Sequence, residues 1–366
     1  MSANWTDIKG KYIRDPRYGH RLGKSYVKSE KKKKPGYQEA INDLSTDQYG
    51  FVGNGYVREL PKEFSNDEIG IIVLGGSAAM GLGATDNSKT FSSIIESNLR
   101  KKIKNKKIYV INAGCGGYSS WDEMIYFLTE LILRKPQMVI SFTGINDFVM
   151  GYLGSKYYDN RIQNTSRSFE DIAESVKMSN QSLSFYELVK FKIKKNILYD
   201  KIINFYRSKK GEIKLNKQNF TWGLENIKKE YNKNFVSTFW KNQISLLGAC
   251  KMHKINYHLY IQPCYFWNNK KKLTNKEKEG IDFDKKLLKE DYQKLCTQYF
   301  NDLKDKSKIF LGNFNQDNYI FEIMDKIIDD VEEQCFVDHH HLTNLGHEIV
   351  AKKIEKNILS SKIFNQ

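Results

Sequence analysis

No stretch of this 366-residue chain stays apolar for the roughly 18 residues that a membrane-spanning helix needs, so a span is not expected. The opening residues, MSANWTDIKGKY, hold no apolar run of the secretory kind, and a cytoplasmic protein is the expectation. The five cysteines, at 115, 250, 264, 296 and 335, are odd in number, widely spaced and never form C-x-x-C. That pattern argues against a disulfide framework or structural zinc and for reduced, mostly buried thiols. Arginine is scarce beside lysine, and no clustered basic stripe with a recognisable nucleic-acid module occurs. The formal net charge of +16 therefore reads as a solvated lysine surface with weak, non-specific attraction to polyanions, not as a specific nucleic-acid reader. Two glycine signatures are also missing where the chain comes nearest to them. In Gly75-Gly76-Ser77-Ala78-Ala79, serine stands where G-x-G-x-x-G needs its second glycine, and alanine where G-x-S-x-G ends in glycine.

What is present is a core and a rhythm. Hydrophobic residues make up 40% of the chain and aromatics 13%, ample for one large α/β core or two modest ones. The aliphatic run Ile71–Leu74 reads as a buried parallel strand that ends in the Gly75-Gly76-Ser77 turn. A helix with apolar positions Phe91, Ile94, Ile95 and Leu99 follows. A second strand, Lys107–Ile111, ends in the turn Asn112–Gly117, and a helix over about 121–134 closes at Pro136. A third strand, Gln137–Phe142, runs into Gly144-Ile145-Asn146-Asp147. Strands alternating with helical patterns predict a doubly wound parallel sheet with polar residues delivered at one edge. Further on, the pattern predicts a helix near 236–253, a strand at Tyr257–Gln262, a solvated lysine-rich segment at 268–289, a helix through Leu295 and Tyr299, and a last short strand at Ile309–Leu311. A helix from about Asn344 to Leu359, capped by Thr343, ends the pattern. Residues 1–65 read as a polar, extended arm anchored by tyrosines, residues 66–366 as the main domain, and residues 155–240 as a mostly helical insertion.

Ser77 alone reads equally well as a serine satisfying a turn. Four blocks together say more: Gly75-Gly76-Ser77, the Asn112–Gly117 turn, Gly144-Ile145-Asn146-Asp147, and Asp338-x-x-His341 followed by Leu342-Thr343-x-x-Gly346. In this order, each after a predicted strand or before a terminal helix, they resemble the SGNH/GDSL hydrolase family. The departure is Gly76, where the family pattern has aspartate; the serine stays in place. The resemblance implies a flavodoxin-like three-layer sandwich with a central parallel sheet. It also implies a serine esterase acting on small or carbohydrate O-acyl (acetyl) esters, with no metal or organic cofactor.

The chemistry asks for the same parts. A serine hydroxyl needs an adjacent base, here His341, oriented through its other ring nitrogen by Asp338. Charge developing on the substrate oxygen needs preplaced donors. The candidates are the backbone N–H of Ser77, the side-chain amide of Asn146 and one N–H of the Gly116-Gly117 pair, with the family spacing favouring Gly117. Asp147 reads as a turn or cap carboxylate, and Cys115 as a small packed residue. Histidines at 339, 340, 341 and 347 raise a metal cluster as another reading, which lacks a second group of ligands. Two alternatives share the fold: an O-acyltransferase using the same triad on a glycan, and a non-catalytic glycan-binding or scaffold protein. Oligomeric state is not legible.

Overall fold

The computed structural model describes residues 12–15, 19–26, 44–53, 59–153, 234–267, 270–288, 290–310, 312, 314 and 318–365. The chain divides into two units, and the second, Asp159–Lys228, lies outside the described residues. So does the expected insertion at 155–240, apart from its last residues, 234–240, which begin a long helix.

Five parallel strands form the main sheet: β3 (Glu68–Gly75), β4 (Lys107–Asn112), β5 (Met138–Thr143), β6 (Asn256–Ile261) and β7 (Tyr319–Ile323). An antiparallel pair, β1 (Tyr12–Asp15) and β2 (Gly19–Leu22), precedes them. The order across the sheet is β4-β3-β5-β6-β7. This is the doubly wound 2-1-3-4-5 order, with β3 between β4 and β5. The chain leaves β3 toward one side and later crosses back to the other. Loops after β3 and β5 therefore part at their carboxyl ends and open a crevice there, the usual place for a ligand in such sheets.

Alternation along the strands sets the layers. Ile69, Ile71 and Val73 of β3, Ile108 and Val110 of β4, and Met138, Ile140 and Phe142 of β5 share one face. They pack on Phe91, Ile95 and Leu99 of helix α2 (Phe91–Lys102) and on Val350, Ala351, Ile354 and Ile358 of the C-terminal helix, Asn344–Ser360. Each such side chain, once fully buried, contributes about 1.5–3 kcal/mol. The opposite face carries helix α3 (Ser120–Thr129) and the long helix Asn234–Met252, and it is more polar. There the Ser141 hydroxyl meets Glu123, and the Tyr257 hydroxyl meets Gln243. No helix among the described residues is long and apolar enough to cross a membrane. All five cysteines are buried, and none is in a disulfide.

Three expectations need correcting. The apolar triplet at 309–311 is not a strand, because Ile309 and Phe310 form the last turn of the helix Glu290–Phe310, where the Phe310 ring stacks on Trp240. The last strand is Tyr319–Ile323, a half-buried edge strand. A short apolar run carries no period long enough to separate the two cases. Second, the segment 268–289 is not simply solvated: it holds the helix Asn275–Leu288 and the buried ion pair Lys271–Glu277 at 3.4 Å. Third, the helix over 121–134 breaks at Glu130, and Leu131–Arg134 form a 3-10 turn, with Leu128 39% exposed.

Glu123 of α3 lies fully buried against β5, and burial above all pushes its carboxyl up to about 8. The unfolded chain loses this proton near 4.5, while the folded chain keeps it to about 8. Between those values the unfolded state binds fewer protons, so stability falls as pH rises, by at most about 1.4 kcal/mol per pH unit from this group. Glu123→Gln removes that slope. Urea midpoints at pH 5.5, 6.5 and 7.5 should fall more steeply for the wild type than for the variant; parallel curves would mean that Glu123 is ionised in the folded protein.

Candidate active site

Glycine makes the first corner. Gly75 ends β3 at φ +145°, and a Cβ there would lie 2.2 Å from the carbonyl oxygen of Phe142, so only glycine lets β3 and β5 diverge at this point. The chain then turns into the short helix α1 (Ser77–Met80), with Ser77 at its first position. Its N–H therefore has no acceptor within the helix. Ser77 is half-buried and reachable from solvent.

The other half of the site is a loop folded by one carboxylate. Phe336 and Leu342 form an antiparallel bridge, and the Val337 N–H donates to the His341 carbonyl at 2.9 Å. Inside this closure Asp338 Oδ1 accepts from the backbone N–H of His340 at 2.9 Å and of His341 at 2.7 Å. This is the turn-forming chemistry of aspartate. The other oxygen, Oδ2, faces His341 Nδ1 at 2.5 Å. His341 Nε2 in turn lies 2.7 Å from Ser77 Oγ, across 264 residues of sequence. Burial alone would push the Asp338 carboxyl up. The imidazoles of His341 and His340 outweigh it and hold the carboxyl well below the usual carboxylate range. An ionised Asp338 accepts a hydrogen bond from Nδ1–H, which fixes the tautomer whose Nε2 lone pair faces the serine hydroxyl. Such a line can take a proton from Ser77 and hold the resulting imidazolium.

The neighbouring histidines point elsewhere. His339 Nδ1 meets Asp284 at 2.6 Å, and its ring stacks on Phe266 at 4.8 Å. His340 Nδ1 lies 3.1 Å from His339 Nε2. Burial first, then the adjacent His341 and His339, hold His340 well below the usual imidazole range. His347 is buried beside Phe91, and burial pushes it down to about 4. Two groupings bring metal-ligand atoms within 4.8 Å: Asp338, His340 and His341, and Asp284, Asp338 and His339. Both ring nitrogens of His339 and of His341 already have partners, so the rings read as a hydrogen-bonded chain.

Asn146 and the Gly116-Gly117 turn come to the same rim. Helix α4 (Ile145–Leu153) begins one residue before Asn146, whose amide Nδ2 donates to the Tyr118 carbonyl at 2.7 Å. An amide carries two N–H groups, which leaves the second for a substrate oxygen. The Cys115 N–H donates to the Gly75 carbonyl at 3.0 Å, so Gly116 and Gly117 span from β3 to Asn146. Asn112 fixes the turn from below, with Nδ2 on the Ala79 carbonyl at 3.0 Å and Oδ1 accepting from the Gly114 N–H at 3.0 Å. Asp147 is a structural carboxylate. It accepts from the N–H and the hydroxyl of Ser120 at 3.0 and 2.5 Å, and so ties the start of α3 to α4. Cys115 is packed and buried beside the turn.

Sequence reasoning missed the supports of the Asp338 loop. The buried Glu277 carboxylate accepts from the N–H groups of Cys335 and Phe336 at 2.9 and 3.0 Å. Lys271 donates to the carbonyls of Val331 and Glu333 at 2.7 and 2.8 Å. Both residues sit in a lysine-rich stretch whose composition hides them.

No family model matches the chain, and no curated protein matches it. Among solved structures it is similar to the acetyl xylan esterase AlAXEase, at 13% identity and a TM-score of 0.42, over 79% of this chain and all of that one. It is also similar to Axe2, an acetylxylan esterase from Geobacillus stearothermophilus, at 14% identity and a TM-score of 0.41, over 81% and 96% of the two chains. A lipolytic protein assigned to the G-D-S-L family from Desulfitobacterium hafniense matches at 9% identity and a TM-score of 0.41, over 80% and 99%.

Gly76, the departure from the family pattern, has a physical counterpart. Its backbone is extended (φ −83°, ψ −151°) and open to any residue, yet a Cβ there would sit 2.1 Å from Asn146 Nδ2. Gly76→Ala should fold and push the Asn146 amide off the Tyr118 carbonyl. Any Ser77-dependent turnover should then have a kcat lower by about 10- to 100-fold, the scale of an ångström's misplacement. A crystal structure of the variant with Asn146 unmoved, together with wild-type kcat, would refute this.

Proposed function

We propose that the protein is a serine esterase that hydrolyses small or carbohydrate O-acyl esters, acetyl esters above all, through an acyl-serine intermediate. The observation that carries the reading is the unbroken line from Asp338 through His341 to Ser77, with contacts of 2.5 and 2.7 Å. The acyl class rests on the four-block resemblance in the sequence.

In this reading the Ser77 oxygen attacks the ester carbonyl while His341 Nε2 takes its proton. Asp338 keeps the imidazole in the needed tautomer and stabilises the imidazolium. The carbonyl oxygen, now an anion, is met by the Ser77 N–H, the second amide N–H of Asn146 and the Gly117 N–H. His341 returns the proton to the departing alkoxide, and the alcohol leaves. Water then repeats the sequence on the acyl-serine, giving the carboxylic acid and free Ser77. Without donors the anion would form in a half-buried rim with no compensation, and each lost donor costs about 2.7–4 kcal/mol in comparable sites. The acyl-transfer reading uses the same first half with a sugar hydroxyl in place of water.

The test is hydrolysis of 4-nitrophenyl esters from acetate to octanoate, with and without an added sugar acceptor. Ser77→Ala should abolish turnover, and Asp338→Asn should lower kcat by about 10⁴-fold, as loss of the orienting carboxylate does elsewhere. Asn146→Ala should lower kcat by about 10²–10³-fold with KM little changed. Wild-type turnover that survives Ser77→Ala would sink the reading. Acyl product formed on the sugar in preference to water would favour the transferase.

A further inference from the structure

The turn at Gly116-Gly117 is held from outside the sheet as well as from within. His20, on β2, brings Nε2 to 2.8 Å from the Gly116 carbonyl oxygen, across 96 residues of sequence. The Tyr118 hydroxyl donates back to the His20 carbonyl at 2.6 Å, and the two rings meet edge to face at 5.3 Å. One residue of the N-terminal hairpin thus grips the residues on both sides of Gly117.

We propose that His20 is a positioning residue for the oxyanion turn, a reading that rests on the esterase function proposed above. The Gly116 carbonyl and the Gly117 N–H belong to one planar trans peptide, and they point in opposite directions. Holding the carbonyl toward His20 therefore holds the Gly117 N–H away from the hairpin. With two glycines flanking it, this peptide has little side-chain bulk to resist a flip. A flip would turn a carbonyl oxygen toward the side that the N–H now faces, a repulsive partner for a substrate anion. His20 Nε2 acts as the donor, since the carbonyl can only accept.

The hairpin is fixed well enough to serve. Tyr12–Asp15 pairs with Gly19–Leu22, and Arg21 meets Asp15 at 3.5 Å. Leu22 is buried. The chain beyond β2 is tied to residues 44–53: the Ser25 N–H donates to the Asp47 carbonyl at 2.7 Å and the Thr46 hydroxyl to the Gly23 carbonyl at 2.5 Å. That segment reaches the sheet through the Val52 N–H, which donates to the Asn112 carbonyl at 3.1 Å. His20 therefore stands on a chain of bonds that ends at the strand leading into its own target turn.

The test uses the full chain with 4-nitrophenyl acetate and an alkylboronic acid, whose serine adduct is a tetrahedral anion. His20→Ala should lower kcat by about 10- to 100-fold with KM within about twofold, and should raise the boronate Ki by a similar factor. His20→Gln or His20→Asn, which keep an N–H donor, should restore much of both in at least one case. Tyr118→Phe removes the return bond while leaving His20 in place, and should lower kcat severalfold; it keeps the proposal open to refutation if His20→Ala does not fold. Wild-type kcat and Ki in His20→Ala overturn the positioning role, as does a loss expressed in KM alone. A wild-type protein with no Ser77-dependent hydrolysis defeats the esterase reading and this one with it, an outcome distinct from an active wild type matched by His20→Ala.

Discussion

The carboxylate of Asp338 carries two tasks that are usually divided. One oxygen folds the loop by accepting two backbone N–H groups, and the other holds the His341 ring. A buried anion is costly unless its lone pairs are occupied, and here N–H groups of the loop backbone and of the His341 ring occupy them. The same desolvation that would drive the carboxyl toward its neutral form makes each of these contacts stronger. Loop shape and ring orientation are consequently one property of the molecule. Glu277 repeats the device one layer further out, collecting the N–H groups of Cys335 and Phe336 while Lys271 neutralises it.

The sheet supplies the complementary constraint. Ser77 and Asn146 follow neighbouring strands, β3 and β5, at the point where the chain changes direction across the sheet. Gly75 and Gly76 permit the backbone of one loop and the side chain of the other to approach more closely than any larger residue would allow. What reaches the crevice is thus decided by which residues stand two or three positions past the strand ends.

The parts of this arrangement with a local signature were legible in the sequence. Apolar runs at 71–74 and 138–140 announced the strands because burial on both faces leaves little room for polar residues, Ser141 being admitted only with Glu123 as its partner. Asp338 and His341 were readable because three residues of loop suffice to join them. The bonds of His20 to Gly116 and of Asp284 to His339 span 96 and 55 residues, and no short pattern encodes them. The triplet at 309–311 was misread because three apolar residues suit the end of a helix as well as a strand. Glu277 was hidden for a different reason: a buried acid inside a lysine-rich stretch looks like one more solvated charge.

The separation of 264 positions between the two partners of the Ser77–His341 contact has a consequence for synthesis. Ser77 leaves the ribosome 264 positions ahead of His341, and its place is the glycine corner after β3. His341 arrives only with the loop before the final helix, which must dock on α2 to seat it. Until then the chain carries a serine without a base, chemically no more reactive than any surface hydroxyl. On the proposed esterase reading, reactivity therefore belongs to the closed pair and to neither segment alone: a chain whose His341 loop has not yet docked would hold the serine without the group that activates it.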